Sequence, residues 1–333
     1  GKSHIIAATA KTIHTATGKK VLCLAPSAEL VTQNREKFTA SGHKASMFSA
    51  SAGAKDLRHN VVFGSPLTVK NRISRFQSGY AAVVLDECHM ITPTIKGIID
   101  AMRKGNPRLR VIGFTATPYR LGSGYIYRQG HDGRINGEDT ARDPYFDIMV
   151  DQILGPELIE AGYLTPPVVG DPAEHGYDTS ALVVGNTGKA FNATDVDRAY
   201  VGHDRKTSAI VAEVVSKSAN STGVMIFAAT VQHANEVMAS LPPEISAMVT
   251  FTTPKGLRRT NIERTRLGDI KYLVSVGSLT TGVDIPRIDT IVLMRKTESV
   301  SLLRQIILRG ARLFPGKRFF AILDYANNIS THF

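Results

Sequence analysis

Apolar residues along this chain fall into short runs, about five residues long and free of polar alternation. In the first half the runs lie at 20–25, 61–64, 81–85 and 109–114. Such runs suit parallel strands covered on both faces. The segments between them carry helix signals. Ser27 stands at an N-cap position before a helix expected to reach about Phe38, and further helices are predicted near 67–76 and 94–104. The second half repeats the layout, with strands expected at 224–227, 247–250, 272–276, 290–294 and 319–323. Helices are predicted up to about Leu241, over 257–267 and over 300–313. Strands alternating with helices predict mostly parallel sheets joined by right-handed crossovers.

Two stretches break the pattern. Residues 119–142 are rich in Gly, Arg and Tyr and have no clear period. Residues 156–162 read as a short helix closed by Gly162, after which Pro166-Pro167 resists helix continuation. Two domains are therefore expected, 1–160 and 161–333, the second beginning with an irregular segment over 165–205 that has no assigned element.

Composition adds a partner class. Of 333 residues, 43% are hydrophobic and 21% charged, ordinary values for a soluble globular protein. Forty Lys and Arg against 29 Asp and Glu leave a net charge of +11, which favours a polyanionic partner, most simply nucleic acid. No apolar run approaches the roughly 20 residues that span a bilayer, and a cytosolic protein is expected. Cys23 and Cys88 lie far apart in strand-like contexts, which argues against a disulfide framework and a cysteine-ligated zinc site. The chain opens Gly1-Lys2-Ser3 without Met, so its natural beginning is expected to lie further upstream.

The candidate chemistry starts where the run Ala81–Leu85 ends in Asp86-Glu87. Ligands collect at the carboxyl ends of strands in open α/β sheets. Two readings fit an acid pair there. It caps the next helix, or it holds a divalent metal with Asp86 while Glu87 activates water. Gly1-Lys2-Ser3 matches the tail of the phosphate-cradling loop G-x-x-x-x-G-K-[ST], whose Lys reaches the β/γ-phosphates and whose Ser ligates Mg²⁺. Its distance upstream suits neighbouring strands.

The ordered set Gly1-Lys2-Ser3, Ala25-Pro26-Ser27, Gly64-Ser65-Pro66, Asp86-Glu87-Cys88-His89, Thr115-Ala116-Thr117-Pro118, Thr280-Thr281-Gly282-Val283-Asp284 and Gln305 with Arg309 and Arg312 resembles superfamily 2 helicases of the DExH kind. The resemblance covers nearly the whole chain. More narrowly, residues 162–167, 225–230 and 297–302 look like RadD-type bacterial DNA-repair ATPases or a phage version of them, although such relatives carry a further cysteine-rich region.

The resemblance implies two RecA-like P-loop NTPase domains using ATP and Mg²⁺. It implies Lys2 on the phosphates with Gly1 in the loop, Ser3 and Asp86 on the metal, and Glu87 activating water. Gly282 and Asp284 would approach and sense the nucleotide. Gln305, Arg309 and Arg312 would reach it from the second domain, and their spacing along the predicted helix puts them on one side. His89, Thr115 and Thr117 would couple the nucleotide to a nucleic-acid strand contacted by Ser27, Gly64, Ser65, Thr230 and Thr280. DNA is expected before RNA, because Ala28 replaces an arginine familiar from DEAD-box RNA helicases. The implied function is an ATP-dependent DNA translocase or helicase in the cytoplasm of a bacterial or phage-infected cell. One departure matters: Leu308 occupies a position where the family's last motif has glycine, which predicts a crowded or shifted Arg309. A nucleotide-gated DNA-binding module with slow hydrolysis and an RNA helicase are the competing readings.

Overall fold

The computed structural model describes residues 2–120, 124–135, 144–171, 173–183, 191–277, 283–297 and 299–332. Its contacts divide into two compact units, Gly1–Arg120 with small later pieces, and a second made mainly of Phe146–Phe333. Residues 146–160 therefore pack with the second unit.

The first unit is built on a sheet ordered β3-β2-β4-β1-β5-β6. These strands are β1 (Lys20–Leu24), β2 (Ser46–Ser49), β3 (Ala54–Lys55), β4 (Val61–Gly64), β5 (Tyr80–Asp86) and β6 (Arg110–Phe114). β1 lies parallel between β4 and β5, and only the β2/β3 pair is antiparallel. Helices α1 (Lys2–Thr17), α2 (Ala28–Ala40), α3 (Pro66–Lys70) and α4 (Pro93–Gly105) connect the strands. Ser27 caps α2 by accepting from the Leu30 amide at 3.2 Å. The helix expected over 67–76 is broken: α3 ends at Lys70, and a 3₁₀ turn covers Ile73–Phe76, sending the Phe76 ring inward against Phe48.

The second unit repeats the principle with six parallel strands, ordered β7-β12-β11-β8-β10-β9. They are β7 (Pro167–Val169), β8 (Val224–Ala228), β9 (Ser246–Val249), β10 (Tyr272–Ser275), β11 (Thr290–Met294) and β12 (Phe320–Asp324). Alternation explains the unbroken apolar runs. Val224, Ile226 and Ala228 enter one core while Met225 and Phe227 enter another on the opposite face. Helices α5 (Gly155–Glu160), α6 (Ala193–Tyr200), α7 (Asp204–Lys217), α8 (Val231–Ser240), α9 (Lys255–Leu267), α10 (Val300–Ile307) and α11 (Asn328–His332) cover it.

Two regions differ from the sequence expectation. The unassigned segment 165–205 contributes β7 on the sheet edge, α6, and the core residues Tyr177, Leu182 and Tyr200. The helix predicted over 300–313 stops at Ile307, because Arg309 and Gly310 donate to carbonyls only three residues back and tighten the chain into turns. Gln305 is thus on a helix while Arg309 and Arg312 follow it, so helical spacing does not align the three. Among the described residues, no helix is long and apolar enough to cross a membrane.

Candidate nucleotide site

β5 carries Asp86 to the carboxyl end of the first sheet, where the side chain is nearly closed off, at 7% exposure. The next residue, Glu87, takes a left-handed backbone conformation with φ of 48°. A non-glycine residue held there costs about 1 kcal/mol or more, and such strain gathers at functional sites. The kink leads into a 3₁₀ turn over Cys88–Met90, ruling out Asp86-Glu87 as an ordinary cap of the following α-helix, which Thr92 caps instead.

Lys2, in the first turn of α1, donates to Glu87 Oε1 and lies 3.9 Å from Asp86 Oδ1. Asp86 is satisfied on both oxygens: Asn34 of α2 donates to Oδ2 at 2.8 Å, and the Glu87 amide donates to Oδ1 at 2.9 Å. Burial nevertheless raises the Asp86 pKa, against the pull of Lys2 and Asn34. An ionised carboxylate held in so dry a place is relieved by a cation. The donor set fits Mg²⁺ held through few protein ligands and completed by nucleotide phosphates. Asp86 would supply the carboxylate, and Ser3, beside Lys2 on α1, the hydroxyl. Among the described residues, no group of three or more His, Cys, Asp or Glu could hold a metal ion.

His89 extends the cluster. Its Nδ1 lies 2.8 Å from Thr115 Oγ1 and 3.5 Å from Glu87 Oε2. Thr115 Oγ1 also accepts from the Thr117 amide at 3.0 Å, so the turn after β6 is tied through one imidazole to the acid pair. Cys88 faces the interior, where burial pushes its thiol up to about 12, which removes it as a nucleophile at neutral pH.

In the second unit three of the predicted residues, Asp284, Arg309 and Arg312, gather around one backbone segment, while Gln305 lies on α10. Arg309 Nη1 donates to the Val283 carbonyl at 2.5 Å. Arg312 Nε lies 3.4 Å from Asp284 Oδ1, an ion pair without hydrogen-bond geometry. Arg266 of α9 donates to the Asp284 carbonyl at 2.8 Å. Lys317 completes the arrangement by donating to the carbonyls of Pro286, Ile288 and Arg312 at 3.1, 2.6 and 2.8 Å. Burial lowers its pKa to about 8. Leu308 itself sits where the chain leaves α10. It has ordinary right-handed backbone angles at the end of α10 and is 36% exposed, so this backbone does not require glycine. The position with no room for a side chain is Gly310, where a Cβ would lie 2.3 Å from the Phe320 ring.

The predicted strand contacts separate into two kinds. Ser27 and Thr230 are helix N-caps whose oxygens accept from Leu30 and His233. Gly64 ends β4, and a Cβ there would meet Val69 at 3.0 Å and the Phe48 carbonyl at 3.2 Å. Ser65 is turned into the unit: its hydroxyl lies 2.9 Å from Thr68 Oγ1 and its amide donates to Phe48. Gly1, Thr280 and Gly282 lie outside the described residues. Asn34, Arg266 and Lys317 were not singled out by sequence, since each acts through a contact more than four residues away.

The comparisons with known proteins follow this division. Residues 1–120 match the family model described as Type III restriction enzyme, res subunit, and residues 205–314 match the helicase conserved C-terminal domain. A Schizosaccharomyces pombe protein described as a mitochondrial ATP-dependent helicase, irc3, is 27% identical over 280 residues. The match covers 81% of this chain but 42% of that relative, so the chain spans less than half the relative's length. Among solved structures, a fragment of an HsdR subunit of a type I restriction enzyme from Vibrio vulnificus superposes with a TM-score of 0.61 at 22% identity, over 94% of this chain and 54% of that one. Saccharomyces cerevisiae Dbp5 bound to RNA and ADP BeF3 gives 0.64 at 18% identity, over 99% and 79%. The fold is that of two RecA-like helicase domains. In sequence as well as in fold, the chain is similar to superfamily 2 helicases.

Proposed function

We propose that the chain is the motor core of an ATP-dependent DNA translocase or helicase. The observation that carries this reading is the meeting of Lys2, Asp86, Glu87 and His89 at one strand end. An ammonium there can neutralise β/γ-phosphates, a buried carboxylate can hold Mg²⁺, and a second carboxylate can orient and deprotonate water. Gln305, Arg309 and Arg312 are assigned to the same cycle as water-orienting and charge-neutralising groups from the second unit. Ser27, Gly64, Thr230 and Thr280 are assigned to the strand's phosphates, which fixes position without reading sequence. The excess of basic residues and the restriction-enzyme family match favour DNA. A role in DNA repair or recombination, of the RadD type and in bacterial or phage-infected cytoplasm, is the finer reading; 1–160 and 161–333 are its assigned functional halves.

The test is the ATPase rate with single-stranded DNA, duplex DNA, RNA and no nucleic acid. Stimulation by DNA is expected, falling steeply with salt. Lys2→Ala and Glu87→Gln should each lower the stimulated rate by about 10²–10⁴. Undiminished turnover in both variants would refute the site, and stimulation by RNA alone would replace DNA as the track. An RNA track is the second reading, favoured by the likeness to the RNA-bound Dbp5 structure.

A further inference from the structure

A second cluster of basic side chains lies at the opposite end of the first unit. Lys11 and His14 of α1, His43 and Lys44 of the loop after α2, and His59 of the loop before β4 line one cavity of about 260 Å³. Its apolar lining is supplied by Phe38 and Val61, both nearly fully buried. Val61 is the first residue of β4, so the cavity opens at the amino ends of the parallel strands, away from Asp86 at the carboxyl end of β5. Along α1, His14 lies twelve residues beyond Lys2, about 18 Å at 1.5 Å per residue.

Three features show what such a cavity takes. Among the described residues no Asp or Glu lines it, so two ammonium groups and three imidazoles converge without an internal counter-charge. The nearby carboxylate of Asp56 is already engaged by Arg58 and Ser46. His43 packs its ring on Phe38 with centroids 5.6 Å apart, and its buried Nε2 has no hydrogen-bond partner. A buried polar atom of this kind is costly unless something meets it. His14 holds the Lys19 carbonyl through Nδ1 at 2.8 Å, which leaves Nε2 as its second polar atom. The three histidines are not grouped as metal ligands: among the described residues no set of three or more His, Cys, Asp or Glu could hold a metal ion.

From these observations we infer that the cavity is an anion site, separate from the nucleotide site, for a phosphate-bearing ligand. Lys11, Lys44 and the imidazoles hold the phosphate, and the Phe38 wall accepts an apolar or aromatic body attached to it. A free nucleoside monophosphate and the backbone of a nucleic acid share this chemistry. The inference does not depend on the proposed motor activity, because neither the acid pair nor Lys2 takes part.

The test is histidine side-chain NMR on the full chain, in a Lys2→Ala background that weakens phosphate binding at the first site. Inorganic phosphate, AMP and a short single-stranded oligonucleotide are titrated at pH 6.5. Saturable shifts of the His14, His43 and His59 resonances are expected. They should weaken at least tenfold in Lys11→Glu/Lys44→Glu and severalfold in His43→Gln, with the backbone amide spectrum confirming that each variant is folded. Tighter response to AMP than to the oligonucleotide identifies a free nucleotide. Tighter response to the oligonucleotide, with a salt slope reduced by about two in the double charge reversal, identifies a nucleic-acid strand. No saturable shift with any of the three probes, or shifts that both variants leave unchanged, would overturn the site.

Discussion

The acid cluster of the first unit and the arginine cluster of the second hold their charges by different means. Asp86 is fixed by side chains and by the next amide, deep in the sheet, with Asn34, Lys2 and the Glu87 N–H all converging on one carboxylate. Arg309, Arg266 and Lys317 instead hold backbone carbonyls over 283–288 and 312, leaving the Arg312–Asp284 pair about two-fifths exposed. A buried acid must be over-determined, because an unpaired buried charge is costly. Surface arginines need no such enclosure. Tying them to carbonyls fixes the path of the chain beside Asp284. The contrast predicts that damage in the first cluster reaches metal binding, while damage in the second reaches the reaction rate.

The largest expected effect breaks the second cluster. Arg312→Ala should lower the ATPase rate by about 10³-fold, the scale of a lost arginine finger. Its loss of fold stability should stay within about 1 kcal/mol, since the pair with Asp284 is exposed. A rate within threefold of the parent chain would show that Arg312 only braces Asp284. In the first cluster, Asn34→Ala removes the 2.8 Å donor to Asp86 and should raise the Mg²⁺ concentration for half-maximal activity by about 10–100-fold. An unchanged Mg²⁺ dependence would separate Asp86 from the metal.

The smallest effect is a pH dependence. Below pH 8 the Lys317 ammonium has three hydrogens for three carbonyls; above it the amine has two. A modest, severalfold fall in rate centred near pH 8 is expected, absent in Lys317→Met. Stability moves the other way. Burial holds the folded-state pKa at about 8, below the ordinary 10.5, so the folded protein releases this proton first. The unfolded chain binds more protons between those values, and the Lys317 contribution to stability rises across that window. Thermal melts and rates measured from pH 7 to 10 check both signs; a rate profile identical in Lys317→Met would remove the clamp from the mechanism.

How much of this was legible in the sequence depends on the range of the interaction. Buried strands announce themselves because both faces of a parallel sheet demand apolar residues, and Ser27 and Thr230 declare helix starts through contacts three residues long. Asp86-Glu87 and Lys2 could be paired only by motif order, and the fold brings them together across 85 positions. Segment 165–205 was illegible because its order comes from elsewhere: the Tyr177 hydroxyl meets Thr207 and His233, and its amide donates to Tyr325. The end of α10 was misread for a related reason. Residues 300–313 have helical spacing throughout, yet Gly310 is pressed against Phe320 of a strand that the local pattern cannot see.

The sequence by itself determined the two α/β halves, their buried strands and the order of the chemical motifs, since these follow from local burial and short-range hydrogen bonding. Only the tertiary structure decided which carbonyl restrains Arg309, which carboxylate pairs with Arg312 and which amide supports Asp86. It also decided that position 310 has no room for a side chain beside Phe320, and that five basic side chains from three segments share one cavity. Each of these rests on contacts between residues distant in the chain, whose distances are fixed by packing and not by spacing.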